Sequence, residues 1–149
     1  LNALFAELGG SLDAGAAVAL LDIGARHTAL HIASRDGGLL SRNVAPGVAA
    51  EGSPPSEAGY LMKLNAGVEQ TLTFYRGRHH REVGAIHAAG GGARVASRLE
   101  ALQAAVKCPV KLFYPVASLG EAGRVAGEAL GPEYLTACGL CRWGDDRDV

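Results

Sequence analysis

The stretch Ala17-Val-Ala-Leu-Leu-Asp-Ile-Gly-Ala-Arg-His-Thr-Ala-Leu-His-Ile-Ala-Ser34 decides the fold. Its first seven residues form a continuous apolar run, the pattern of a strand buried on both faces. Gly24 breaks the run. From Thr28 to Ser34 the pattern alternates, with Leu30 and Ile32 on one face and Ala29 and His31 on the other. Arg35-Asp36-Gly37-Gly38 comes next as a hairpin turn, because Asp-Gly accepts the positive φ of a tight turn. Leu39 to Val44 then reads as a third strand, so three antiparallel strands are expected in succession.

Working outward, Ala45 to Ser56 contains Pro46, Pro54 and Pro55 and reads as a mobile Pro-rich loop, 45–56. Ser56 is placed to cap a helix running from Glu57 to about Arg76. Its apolar stripe is Leu61, Leu64, Val68, Leu72 and Tyr75. Val83 to Ala88 is a fourth strand. Gly90-Gly91-Gly92 separates it from a helix over Arg94 to Lys107, and Val110 to Tyr114 is a fifth strand. Helices are also expected at Leu1 to Leu8, at Glu121 to Leu130, and from Pro132, a favoured first position, to about Trp143. Residues 144–149 form an acidic tail. The order βββαβαβα, with the last two strands joined by right-handed crossovers, describes an α/β fold with a ribonuclease-H-like, mixed five-stranded sheet.

Composition narrows the function. With 149 residues the chain suits one domain, 1–149. Lys plus Arg is 14 and Asp plus Glu is 15, a net charge of −1 that argues against a nucleic-acid binder. Hydrophobic residues make up 48%, which excludes disorder for most of the chain. The 21 glycines are about twice the usual share of roughly 7%. They are expected at turns and close backbone approaches. No apolar run reaches the ~20 residues of a membrane span. Three cysteines, Cys108, Cys138 and Cys141, do not form a disulfide framework and read as reduced thiols. The chain opens on Leu1, and it is expected to be a piece of a longer protein.

Two motifs carry chemistry. Asp22-Ile-Gly-Ala-Arg-His-Thr28 sets a carboxylate at the end of a buried strand, beside a glycine that lets a phosphate approach turn amides. A hard cation takes oxygen ligands, so Asp22 is the candidate metal residue. Read alone, the motif equally describes an ordinary hairpin. Ala88-Ala-Gly-Gly-Gly-Ala-Arg94 sets three glycines at a strand-to-helix turn, where a flat ligand can lie on the backbone or a helix can pack tightly on the sheet. It is not a dinucleotide fingerprint, because Val95 stands where the third glycine is required.

Together these motifs resemble the second lobe of actin-like ATPases and, within them, the PilM family of type IV pilus assembly proteins. The likeness rests on Val18-Ala-Leu-Leu-Asp-Ile-Gly-Ala-Arg-His-Thr28, Glu69-Gln-Thr-Leu-Thr-Phe-Tyr75, Ile86-His-Ala-Ala-Gly-Gly-Gly-Ala-Arg94, Leu99 to Tyr114 and Thr136-Ala-Cys-Gly-Leu-Cys-Arg142. The resemblance implies that Asp22, Gly24, Ala25 and Thr28 face the phosphates and Mg²⁺ of ATP. It implies that Gly90, Gly91, Gly92 and Arg94 face adenosine. It further implies a cytoplasmic scaffold, peripheral to the membrane at the inner face of the inner membrane. The implied partners are a PilN-like protein tail and other pilus assembly proteins. The likeness covers one lobe, so half of a nucleotide site is expected here.

No residue is identified as catalytic, and at most a weak ATPase is expected. Two other readings stand beside the scaffold. Arg26 and His27 are bulky at the phosphate turn, which suits a degenerate, nucleotide-free interaction module. A small-molecule kinase of the same superfamily requires a catalytic carboxylate from the other lobe. A ribonuclease is excluded, since Val83 to Ala88 offers no second carboxylate. Cys138-Gly-Leu-Cys141 falls near a helix end rather than its start, so a redox pair is disfavoured. His27, His31 and His87 lack a carboxylate at ligand spacing, and the basic run Arg76 to Arg81 reads as a solvated helix end.

Overall fold

The computed structural model describes residues 17–34, 40–48, 56–115 and 131–138. The elements in chain order are β1 (Ala17–Ile23), β2 (His27–Ser34), β3 (Leu40–Pro46), α1 (Glu57–His79), β4 (Val83–Ala89), a 3-10 turn (Gly91–Arg94), α2 (Ala96–Ala105), β5 (Val110–Leu112) and a second 3-10 turn (Pro132–Tyr134). The sheet order is β3-β2-β1-β4-β5. β1 pairs antiparallel with β2, and β2 with β3. β4 lies parallel to β1, and β5 parallel to β4. This is the expected mixed five-stranded α/β sheet. β1 is its middle strand, which is why its sequence is apolar without alternation.

The two faces of β1 go to two cores. Ala17, Ala19, Leu21 and Ile23 join Leu30, Ile32, Ile86 and Ala88 under Tyr60, Leu64, Val68 and Tyr75 of α1 and Leu102 of α2. Val18 and Leu20 face the other way, with Ala89 and Leu135. Leu20, Leu21, Leu30, Ile32 and Ile86 are all completely buried. Each such side chain contributes roughly 1.5–3 kcal/mol by leaving water.

α1 begins where expected. The Ser56 hydroxyl accepts a hydrogen bond from the Gly59 amide at 3.2 Å, and Glu57 complements the helix dipole. It runs past Arg76 to His79 and closes on His80 in the left-handed region (φ 52°), whose amide donates to the Arg76 carbonyl at 2.9 Å. The buried stripe is Tyr60, Leu64, Val68, Thr71 and Tyr75, so the helix is rotated from the expected face. Leu61 and Leu72 pack only at its margin. Thr71 tolerates burial because its hydroxyl donates to the Gly67 carbonyl at 2.7 Å.

Gly67 marks the closest approach of α1 to β3. The β2–β3 register slips between Thr28 and Ala29, which pair with Ala45 and Asn43 and leave Val44 as a bulge. A Cβ on Gly67 would overlap the Val44 carbonyl, so only glycine lets α1 descend onto the bulge.

Several boundaries differ from expectation. β3 extends through Ala45 and Pro46, so the expected loop 45–56 starts two residues inside a strand. Pro46 is accommodated because β3 is an edge strand. α2 starts at Ala96 rather than Arg94, since the glycine turn coils into a 3-10 turn first. β5 stops at Leu112. The expected hairpin at 35–38, the helices at 1–8 and 121–130, most of the loop 45–56 and the acidic tail 144–149 lie outside the described residues.

Gly67→Ala tests the close approach. Helix propensity alone favours Ala by about 1 kcal/mol. Collision with the Val44 carbonyl makes the change destabilising instead, by about 1–3 kcal/mol. A lowered urea midpoint with an unchanged slope is the expected result.

Candidate functional site

Asp22 is the last residue of β1 but one. Across the ladder it faces Ala29 of β2 and Ala89 of β4. Directly opposed residues share a face, so Asp22 lies on the side of Val18 and Leu20, away from α1. The chain then turns at Gly24, whose amide donates to the His27 carbonyl at 3.1 Å. Ala25, Arg26 and His27 are exposed. The segment after β3 braces this turn from one side. The Gly47 amide donates to the Arg26 carbonyl at 3.0 Å, and the Val48 amide to the Gly24 carbonyl at 3.2 Å. Gly47 lies so close to Ala25 that a Cβ there would overlap the Ala25 carbonyl.

The second turn seats directly on the end of β1. Gly90 takes φ 86°, and a Cβ on it would stand 2.5 Å from Asp22 Oδ1 and 2.6 Å from the Ile23 carbonyl oxygen. Its amide donates to the Pro132 carbonyl at 2.8 Å, and the Ala93 amide donates back to the Gly90 carbonyl at 3.1 Å. The two motifs found 68 residues apart (Asp22 to Gly90) therefore meet at one corner of the sheet, at the C-terminal ends of parallel β1 and β4.

The expected residues do not all take the same face of the sheet. Thr28 pairs with Ile23, on the α1 side of the sheet, opposite to Asp22. It is completely buried, with its hydroxyl 3.0 Å from the Tyr60 hydroxyl and donating to the Pro46 carbonyl at 3.3 Å. Its hydroxyl is thus engaged within the fold, between α1 and the end of β3. Gly90 and Gly92 are buried, and a Cβ on Gly92 would collide with the Ile23 side chain, so both serve packing; Gly91 is the exposed member of the three. Arg94 forms an ion pair with Glu133 at 3.0 Å. Of the expected residues, Ala25, Gly91 and Arg94 are exposed, and Asp22 and Gly24 are partly exposed.

Sequence reasoning missed the residues behind the turns. Arg98 Nε and Nη2 donate to the two Glu57 oxygens at 2.7 and 3.0 Å, and Nη1 donates to the Gly92 carbonyl at 3.2 Å. Its guanidinium lies 5.2 Å from the Tyr60 ring centroid, a cation–π distance. The hydrogen bond from Arg98 holds the Glu57 carboxyl below its usual pKa, and the same bond raises Arg98. For Thr28 the sequence did hold a signal, in its parity: Thr28, Leu30 and Ile32 alternate onto one face, so Thr28 belongs with the core.

Burial pushes the Asp22 carboxyl above its ordinary pKa, against the opposing pull of His31 and then His27. Burial lowers His31, which Asp22 partly offsets. His31 Nδ1 lies 2.8 Å from the Ser41 hydroxyl. Cys108 is half-buried, its thiol raised by burial; Cys138 is buried, and Cys141 lies outside the described residues. Among the described residues, no group of three or more His, Cys, Asp or Glu side chains gathers as a metal site, and no helix is long and apolar enough to cross a membrane.

The raised Asp22 pKa fixes a sign. As pH climbs through the interval between the ordinary 3.8 and the higher folded value, the unfolded chain ionises first, so stability falls. Asp22→Asn is therefore expected to raise the melting temperature at neutral pH. The gain should shrink as pH drops toward the ordinary value, in paired thermal melts.

No protein-family model matches the chain, and no curated protein matches it. Solved structures do. The fold is similar to that of a chain from a PilM–PilN type IV pilus biogenesis complex, with a TM-score of 0.68 and 19% sequence identity. The match takes in 97% of this chain and 50% of that one, so the chain spans half the length of its structural neighbour.

Proposed function

We propose that this chain is the second lobe of an actin-like, PilM-type scaffold of type IV pilus assembly, with a ribonuclease-H-like sheet order and one half of a nucleotide site. The observation that carries the reading is the contact of Asp22 Oδ1 with the Gly90 turn, where the carboxylate-ended strand and the glycine-rich turn meet. The likeness to a chain of the PilM–PilN complex supports the same assignment.

Mg²⁺ and ATP suit the residues of the corner. Asp22 presents a carboxyl that burial disfavours as an anion, and a divalent cation would relieve that cost. Magnesium keeps several waters and takes one or two carboxylates, so Asp22 would hold its hydration shell. The exposed turn Ala25–Arg26 would present backbone to the phosphates, and the exposed Gly91 would lie toward the nucleoside. A bound cation would supply positive charge beside the Asp22 carboxyl, and the exposed backbone of the two turns would meet the nucleotide. In this reading the protein works in the cytoplasm, at the inner face of the inner membrane, with a PilN-like tail as partner.

A second reading has its own support. Gly90 and Gly92 are consumed in packing, the Gly90 amide is bonded to Pro132, and Arg94 is held by Glu133. These contacts suit a lobe that kept the fold as a nucleotide-free interaction module.

Titrating the full-length protein with Mg-ATP separates the two. The scaffold-with-nucleotide reading expects saturable binding that Asp22→Ala weakens about tenfold or more, or ~1.4 kcal/mol. Absence of saturable binding, with Asp22→Ala indistinguishable from the parent, assigns the interaction module.

A further inference from the structure

The Arg98 guanidinium ties its own helix to two other elements, α1 and the glycine turn. It sits in the first turn of α2 with only 12% of its side chain exposed, and it grips Glu57 in the first turn of α1 through two parallel hydrogen bonds. Its remaining edge donates to the Gly92 carbonyl of the glycine turn, and its face lies near Tyr60. Tyr60 in turn meets Thr28, the second residue of β2. A planar fork with fixed donor directions satisfies all of these from one position. Lysine, a point charge on a flexible stem, cannot reproduce the two parallel bonds to Glu57 together with the fixed direction of the bond to Gly92.

We propose that Arg98 is a positioning residue for the nucleotide corner. By fixing the Gly92 carbonyl it sets the peptide planes of the glycine turn, and through Glu57 and Tyr60 it locks that turn to the β1–β2 turn. The role rests on the nucleotide reading of these turns. Arg98 itself stands behind the backbone and touches no ligand.

The experiment uses the intact protein and two readouts, amide hydrogen exchange and Mg-ATP affinity, for the parent, Arg98→Lys and the charge-swapped pair Glu57→Arg with Arg98→Glu. The reporters are the Gly90 and Ala93 amides in the glycine turn and the Tyr60 amide, which donates to the Ser56 carbonyl at 2.8 Å. The Ile86 amide, bonded to the Pro109 carbonyl at 2.8 Å, reports the core. Arg98→Lys is expected to speed exchange at Gly90 and Ala93 about tenfold and to weaken Mg-ATP by a similar factor, with Ile86 unchanged. In the charge swap, exchange at Tyr60 is expected to stay parental while Ala93 exchanges faster, because a carboxylate at position 98 cannot donate to the Gly92 carbonyl. A parent that binds Mg-ATP while Arg98→Lys keeps parental affinity overturns the positioning role alone, whether or not exchange changes. A parent with no saturable binding overturns the nucleotide reading and this role with it.

Discussion

The seating of Gly90 on the last two residues of β1 directs the chain beyond β4. β1 and β4 run parallel and stop pairing at Asp22 and Ala89, so the next residue of β4 must leave the sheet over the end of its neighbour. It does so with φ 86°, against the Asp22 carboxyl and the Ile23 carbonyl, in a space with no room for a side chain. That direction obliges the chain to coil through Gly91–Arg94 before α2 can begin at Ala96. It also brings Arg98 within reach of both the Gly92 carbonyl and the start of α1.

The same device recurs where other backbones cross. Gly67 lets α1 rest on the Val44 bulge, and Gly47 lets the end of β3 lie flat on the β1–β2 turn. With aromatics at only 5%, the chain has few bulky groups to fill wide gaps between elements. It closes those gaps by bringing elements nearer, and glycine removes the Cβ that would hold them apart. Among the described residues, Gly47, Gly67, Gly90 and Gly92 are thus a packing solution for a core of Ala, Val, Leu and Ile. Asp22 is the exception to that economy. It is a half-buried carboxylate at the end of a central strand, and burial disfavours its charged form.

The strands were legible because β1 and β2 carry their burial pattern in consecutive residues. Antiparallel pairing came from the Asp-Gly turn signal, and the parallel strands from intervening helices of ordinary length. Element ends were less legible. β3 gained two residues because Pro46 costs nothing at an edge, and α2 lost two because the glycine turn coiled first. The motifs singled out Asp22 and the glycine turn, and the two meet in the fold. The face that Thr28 takes is set by the pleat, which spacing along a hairpin ignores. Arg98 and Glu57 are 41 residues apart, and Arg94 and Glu133 are 39 apart; neither separation has a local pattern to betray it.

The difference between a buried and an exposed glycine changes what the corner consists of. Gly90 and Gly92 are small because another part of the chain occupies the space a Cβ would take. What remains open is backbone at Ala25, Arg26 and Gly91, together with the one carboxyl of Asp22. A surface made mostly of main chain has no rotamers of its own to tune; its geometry is set by whatever holds the peptide planes from behind. Here that support is polar and layered: Gly47 and Val48 behind the first turn, Arg98 behind the second, and Tyr60 joining Thr28 to Arg98 between them. Substitutions at these supporting side chains therefore act on the corner through backbone position, without any of them lying in it.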